Sequence, residues 1–155
     1  MGKAKKAPGH GLSSDAPHSV EFFQRHPDDD PERNAPGFEF LTTCPPKVQA
    51  TMLAVLKAVA EAPPKRFAGG GHWEAMHGSM TGWHEVRVDG SKPRRHYRLF
   101  CSLDTEALEV DRPMITVITG MSKAVRTTFS ESDYLTAREL GNEYFSRNPR
   151  SLKSS

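Results

Sequence analysis

Three strand-like stretches in succession, all within residues 83–126, constrain the fold of this chain more than any other feature. They cover residues 83–88, 96–103 and 114–119. Residues 115–119 are all β-branched, which favours a central strand. The loop at residues 89–93 is long enough to return the chain, so we expect the first two stretches to pair as antiparallel neighbours. The sequence therefore predicts a small antiparallel sheet.

Alternation within these stretches assigns each side chain to a face of the sheet. Val86 and Val88 point to one face, whereas Glu85 and Arg87 point to the other. The second stretch divides in the same way into an apolar face of Tyr97, Leu99, Cys101 and Leu103 and an opposite face of His96, Arg98, Phe100 and Ser102. If the apolar side chains share one core, Arg87 and Arg98 should emerge together on an exposed surface.

Two helices are predicted to pack on this sheet, which gives an α+β fold. Residues 46–62 carry a single apolar stripe at three- and four-residue spacing, bounded by proline pairs: Val48, Met52, Val55, Leu56 and Val59. A C-terminal helix should begin near Ser130, since Ser130 and Asp133 have the form of a capping box. Ala137, Leu140 and Tyr144 then share one face of that helix.

The remaining segments suggest the domain boundaries. Residues 1–17 are predicted to be a disordered basic tail, residues 18–148 a single domain, and residues 149–155 a polar tail. Within the domain, residues 20–23 suggest a short strand and residues 38–41 an edge strand, with an exposed acidic loop between them. The triple glycine at residues 69–71 lacks the Gly-Lys-Ser/Thr ending of a phosphate loop, so we interpret it as a flexible link.

Composition excludes some classes of protein. No apolar run approaches the roughly 20 residues that cross a bilayer, and the basic N-terminus lacks the apolar part of a signal peptide, so we expect a cytoplasmic protein without membrane contact. Cys44 and Cys101 form no CxxC pair, which predicts reduced thiols. The formal net charge is only +2, but five Lys/Arg residues against two acids lie between His84 and Cys101. Such focused charge attracts phosphate groups.

The basic face suggests RNA as the polyanion. The candidate catalytic residues are Arg87, Arg98, Lys123 and Arg126, with His96 as a general acid or base, and Lys92, Arg94 and Arg95 are candidate substrate-binding residues. Guanidinium groups stabilise the charge that develops when a 2′-hydroxyl attacks the adjacent phosphate, and Phe100 or Tyr97 could stack on a base. A half-solvated sheet with ordinary exposed cations fits the same pattern equally well. The spacing of His72, His77, His84 and His96 fits no standard zinc site, so we expect no metal.

A family resemblance extends this interpretation. The motifs Glu85-Val-Arg87, His96-Tyr-Arg98-Leu-Phe100 and Ile118-Thr-Gly-Met-Ser-Lys123 resemble the RelE/HigB superfamily of type II toxins, in the branch of phage Gp49-like proteins. The resemblance covers about residues 38–145. It implies a RelE-like fold, with Arg98 as the principal catalytic cation, supported by Arg87 and Lys123 and, by a weaker match, Arg126. It also implies a substrate-binding aromatic residue, for which Tyr134 is the nearby candidate.

The resemblance further implies an activity and partners. Members are metal-independent and cofactor-free mRNA interferases, endoribonucleases that cut translated mRNA on the ribosome, and a cognate helix-turn-helix antitoxin inhibits them. Glu85 departs from the more basic members but is compatible with the HigB branch. Two alternatives stay open: a ParE-like toxin that targets DNA gyrase, and a non-catalytic phage-type module that binds nucleic acid or protein.

Overall fold

The described residues, 16–62 and 71–154 of this computed structural model, form five strands and three α-helices. In chain order these are β1 (Ser19–Phe22), α1 (Pro36–Thr43), α2 (Pro46–Ala60), β2 (Trp73–Ala75), β3 (Trp83–Ser91), β4 (Arg94–Asp104), β5 (Met114–Ala124) and α3 (Glu131–Phe145). A short 3₁₀ helix, Gly78–Met80, separates β2 from β3. The predicted α+β class is confirmed.

The five strands form one sheet in the order β1-β5-β4-β3-β2. Strands β3, β4 and β5 pair as antiparallel neighbours, as the sequence predicts. Strand β2, which the sequence did not predict, pairs with β3 in the antiparallel sense, whereas β1 pairs with β5 in parallel. The sheet is therefore mixed: the predicted antiparallel strands make up most of it, and β1 adds a parallel strand at one edge. The two paired strands are far apart in the sequence: α1 and α2 carry the chain from β1 at one edge of the sheet to β2 at the other edge, and β2, β3 and β4 lead back to β5.

Helices cover both faces of the sheet. On one face, α1 and α2 pack against Val86, Leu99 and Val117 to form the larger core, which also buries Cys101. On the other face, α3 packs against β5, where Ile118 and Tyr144 belong to a second core. Burial on both faces explains why residues 114–119 are buried without interruption rather than alternately.

The two predicted helices are observed. In α2, four of the five predicted stripe residues are buried, and Val55 is partly buried against the same core. The N-terminus of α3 has the predicted capping box: the Ser130 hydroxyl accepts from the Asp133 amide at 3.1 Å, and the Asp133 carboxylate accepts from the Ser130 amide at 2.8 Å. These reciprocal bonds satisfy donors that a helix start leaves open.

Residues 38–41 lie in helix α1, so the prediction of an edge strand there is wrong. Pro36 occupies the first turn, where a proline is well tolerated, and the Glu39 carboxylate accepts from the Ala35 amide at 3.0 Å. Gly37 lets the helix approach the sheet, because a Cβ at this position would lie 2.6 Å from Cγ1 of Val117. Leu41, one turn later, is buried on the same side.

The C-terminal residues lie against the first strand. Leu152 forms an antiparallel bridge with Phe23, and the Lys153 amide donates to the Phe22 carbonyl at 2.8 Å.

The predicted tail at residues 1–17 falls outside the described residues except for its last two positions, and Gly69 and Gly70 of the predicted link also fall outside them. Within the described residues, no helix combines the length and apolar character needed to cross a membrane.

Candidate active site

The cations singled out from the sequence meet where β3, β4 and β5 pair. Arg87 lies directly opposite Arg98, and Asp89 lies directly opposite His96. On the other edge of β4, His96 lies opposite Lys123. Directly opposed residues share a face of the sheet, so these five side chains lie on one face, the face that α3 packs against.

Arg98 is buried, contrary to the expectation that it emerges on an exposed surface. Only 8% of its side chain is accessible. The guanidinium carbon lies 5.9 Å from the ring centre of Phe129, in the segment that leads into α3. Its Nη1 atom donates to Oδ1 of Asp89 at 3.2 Å and to the Tyr97 carbonyl at 3.0 Å. Alternation assigned Arg98 to the correct face, but that face is covered at this point.

Glu85 lies between the two guanidinium groups. Its carboxylate oxygens are 3.9 Å from Nε of Arg98 and 3.9 Å from Nε of Arg87, and 16% of its side chain is accessible. Burial raises the pKa of Glu85 above its ordinary value, although the charges of Arg98 and Arg87 act in the opposite direction. Arg87 itself keeps 44% of its side chain exposed, so it is the accessible member of the arginine pair.

Asp89 links His96 to Arg98. Its Oδ1 atom is 2.8 Å from Nδ1 of His96 and 3.2 Å from Nη1 of Arg98. The hydrogen bond from His96 holds the pKa of Asp89 below its ordinary value; partial burial opposes this effect and the bond from Arg98 adds to it. Asp89 is therefore a carboxylate at neutral pH.

Lys123 connects the sheet to α3. Its Nζ lies 3.1 Å from Oδ2 of Asp133, the same carboxylate that caps the helix. The Ser130 amide and Lys123 together hold the pKa of Asp133 below its ordinary value against partial burial. Lys123, His96 and Arg98 thus each have a carboxylate partner, and the positive charge of this face is largely neutralised locally.

The other predicted cations lie at the edge of this cluster or away from it. Arg95 donates to the hydroxyl and carbonyl of Ser122, and alternation places it on the opposite face from Arg98. Lys92 and Arg94 are exposed at the turn between β3 and β4. Arg126 is exposed in the loop after β5, with a φ of 79°.

The aromatic residues next to the cluster are arranged differently from the prediction. Phe100 is fully buried, and Tyr97 is buried on the opposite face, so neither ring faces solvent. Tyr134 is partly buried, and burial raises its pKa. Phe129 and Tyr134 stack with ring centres 6.5 Å apart, and both contact Phe100 edge to face.

Sequence reasoning missed Phe129, although a signal for it was present. Phe129 directly precedes the cap residue Ser130, and Tyr134 is the fourth residue of the helix. An apolar pair at these two positions is a hydrophobic staple, which fixes the angle at which the chain enters a helix. The staple therefore predicts that the ring of Phe129 lies next to Tyr134.

The described residues offer no obvious metal centre, since no three His, Cys, Asp or Glu side chains among residues 16–62 and 71–154 could hold an ion together. No family model matches the chain, and neither a curated protein nor a solved structure matches it.

Proposed function

We propose that this chain is the toxin of a type II toxin–antitoxin system of the RelE/HigB type, an endoribonuclease that cleaves translated mRNA. The observation that carries the proposal is the direct pairing of Arg87 with Arg98, with His96 and Lys123 beside them on one face. The α+β architecture is compatible with the fold that the sequence resemblance implies. The proposed partners are mRNA on the ribosome and a helix-turn-helix antitoxin.

The proposed reaction needs no metal and no cofactor. The 2′-hydroxyl of one nucleotide loses its proton to a base, and its oxygen forms a bond to the adjacent phosphorus. The bond from phosphorus to the 5′-oxygen then breaks, and that oxygen takes up a proton. The products are a 2′,3′-cyclic phosphate and a 5′-hydroxyl. The step requires cations at the phosphoryl oxygens, a proton acceptor and a proton donor.

The cluster contains groups for each requirement. Arg87 and Arg98 supply guanidinium groups, which can donate two parallel hydrogen bonds to a phosphate. Glu85 lies 3.9 Å from both, and its raised pKa is suited to a carboxyl that accepts and releases a proton. The His96 imidazole is the second group that can transfer a proton.

The proposal requires a movement of Phe129. Its ring lies over Arg98, and the Arg98 side chain is almost inaccessible, so a phosphate cannot reach that guanidinium in the described conformation. Arg87 is accessible without any rearrangement. We therefore propose that RNA first contacts Arg87 and reaches Arg98 when Phe129 is displaced.

The test is induced expression in a bacterial host, with primer-extension mapping of 5′ ends on several translated messages. We expect new cuts in the wild type and their loss in Arg98→Ala and Arg87→Ala. Arg87→Ala is the cleaner variant because Arg87 is exposed, and thermal unfolding of purified Arg98→Ala checks that this variant folds. Lys47→Ala is the control, since it removes one exposed cation at the start of α2, on the other side of the sheet.

Other outcomes would contradict the proposal. Growth arrest with intact messages would indicate the gyrase-targeting alternative. Intact messages with normal growth would indicate a non-catalytic binding module. Cuts that persist in both arginine variants would show that the arginine pair is not the site of cleavage.

A further inference from the structure

Asp89 joins two residues of the proposed site through a single oxygen atom. Its Oδ1 lies 2.8 Å from Nδ1 of His96 and 3.2 Å from Nη1 of Arg98. Asp89 and His96 are direct partners across β3 and β4, and Arg98 is two residues further along β4 on the same face. The contact is thus built into the strand pairing and does not depend on a loop.

The charge of Asp89 determines which ring nitrogen of His96 carries the hydrogen. An ionised carboxylate only accepts hydrogen bonds, so Nδ1 of His96 must be the donor. When the imidazole is neutral, Nε2 then carries the lone pair. Among the described residues, Asp89 is the only side chain that shares a hydrogen bond with this ring.

Charged groups face His96 directly from three strands and indirectly from one helix. Asp89 faces it from β3, Arg98 from its own strand and Lys123 from β5. From α3, Asp133 acts through its ion pair with Lys123. Of these, the carboxylate of Asp89 is the one that orients the ring.

We infer that Asp89 is a positioning residue of the proposed site, which holds neutral His96 as the Nδ1–H tautomer and fixes the Arg98 guanidinium beside it. This inference rests on the proposed function, and it assigns the proton transfer to Nε2 of His96. In other proteins, carboxylates that accept a hydrogen bond from a catalytic or metal-binding histidine act in this way, by fixing the tautomer and the ring orientation.

The first test measures the tautomer directly and does not require activity. Nitrogen-15 NMR of the full-length protein, at a pH where imidazoles are neutral, distinguishes a protonated from an unprotonated ring nitrogen, and His96→Gln assigns the signals. His26 is an internal reference, because its Nδ1 accepts from the Asp28 amide at 3.0 Å and must adopt the opposite tautomer. We expect His96 in the Nδ1–H form in the wild type and a shift towards Nε2–H in Asp89→Ala.

Asp28→Ala is the matched control. It removes an exposed aspartate next to a histidine but leaves the Asp28 amide in place, so neither His26 nor His96 should change tautomer. Asp89 itself has a largely exposed side chain, so Asp89→Ala should fold, and thermal unfolding verifies it. A wild-type His96 in the Nε2–H form, or no change in Asp89→Ala, would overturn the inference.

The second test links the tautomer to cleavage of a defined mRNA that is bound in translating ribosomes. We expect kcat of Asp89→Ala to fall by about 10- to 100-fold, with a smaller change in KM, and Asp28→Ala to match the wild type. A changed tautomer with an unchanged kcat would overturn the positioning role while the proposed function stands. A wild-type protein that cleaves no RNA would overturn the proposed function and the role of Asp89 together, whatever the tautomer.

Discussion

Replacing Arg150 by methionine should destabilise the fold strongly, even though Arg150 lies five residues after the end of the last helix. Its guanidinium donates through Nε to Asp104 Oδ2 at 2.8 Å and through Nη2 to Oδ1 at 3.3 Å. Only 5% of the Arg150 side chain and 1% of the Asp104 side chain are accessible. The pair therefore lies in the interior, where a charge without its partner is costly.

The magnitude follows from what Asp104 retains after the substitution. Removing one partner of a buried ion pair typically costs about 3–5 kcal/mol. Asp104 would keep the hydrogen bonds from the Tyr144 hydroxyl at 2.6 Å and from the Glu106 amide at 3.0 Å, which favours the lower end of this range. A loss of about 3 kcal/mol lowers the melting temperature of a chain of this length by roughly 6–12 °C.

Urea unfolding of Arg150→Met, Asp104→Asn and the double variant, followed by tryptophan fluorescence, measures this loss. The double variant should be more stable than the sum of the single losses predicts, since it leaves no unpaired charge. Arg147→Met is the matched control: the Arg147–Asp29 pair, at 3.2 Å, has 31% and 32% of its side chains accessible and should contribute less than about 1 kcal/mol. If Arg150→Met costs no more than Arg147→Met, or if the two single losses are additive, the reasoning is refuted.

Two further predictions concern pH and packing. Burial opposes ionisation of Asp104, but the hydrogen bonds from Arg150, Tyr144 and the Glu106 amide outweigh it and hold the pKa of Asp104 below its ordinary value. The ionised Asp104 therefore stabilises the fold at pH values above the ordinary pKa, and this stabilisation is lost as the pH falls through the lower pKa of the folded state. Urea titrations at a series of pH values should show the stability difference between the wild type and Asp104→Asn shrinking in acid, and a constant difference would contradict this. A Cβ on Gly120 would clash with the ring of Phe40, so Gly120→Ala should cost about 1–3 kcal/mol. The same measurement should show partial recovery in Phe40→Leu/Gly120→Ala, and no recovery would exclude the clash as the cause.

Local sequence signals predicted the elements that carry the site. The alternation in residues 83–103 predicted which residues of β3 and β4 share a face, and the structure pairs Arg87 with Arg98 accordingly. The spacing of apolar residues predicted α2, and the capping box at Ser130 predicted the start of α3. These signals are reliable because they arise from contacts between residues that are close in the sequence or in the same turn.

The errors concern contacts between distant segments. Residues 38–41 fit both a strand and a helix, and the approach of Gly37 to Val117, far along the chain, adds to the local features that favour the helix. Alternation also separates two faces of a sheet without showing whether the second face is covered. The uninterrupted run of apolar and β-branched residues at 114–119 was the available signal that both faces of the sheet are buried. The same signal indicated that Arg98, on the second face, is buried.

The pairing of cations with carboxylates determines how an RNA phosphate could bind under the proposed function. Because Asp89 and Asp133 already neutralise much of the charge of Arg98 and Lys123, a phosphate gains little from the overall field of this face and depends on the individual N–H groups that it reaches. Arg87 is the accessible starting point, and one exposed cation supplies little affinity on its own. Free RNA should therefore bind weakly, and efficient cleavage would depend on a larger partner that holds the message against this face. A message presented by the ribosome meets that requirement.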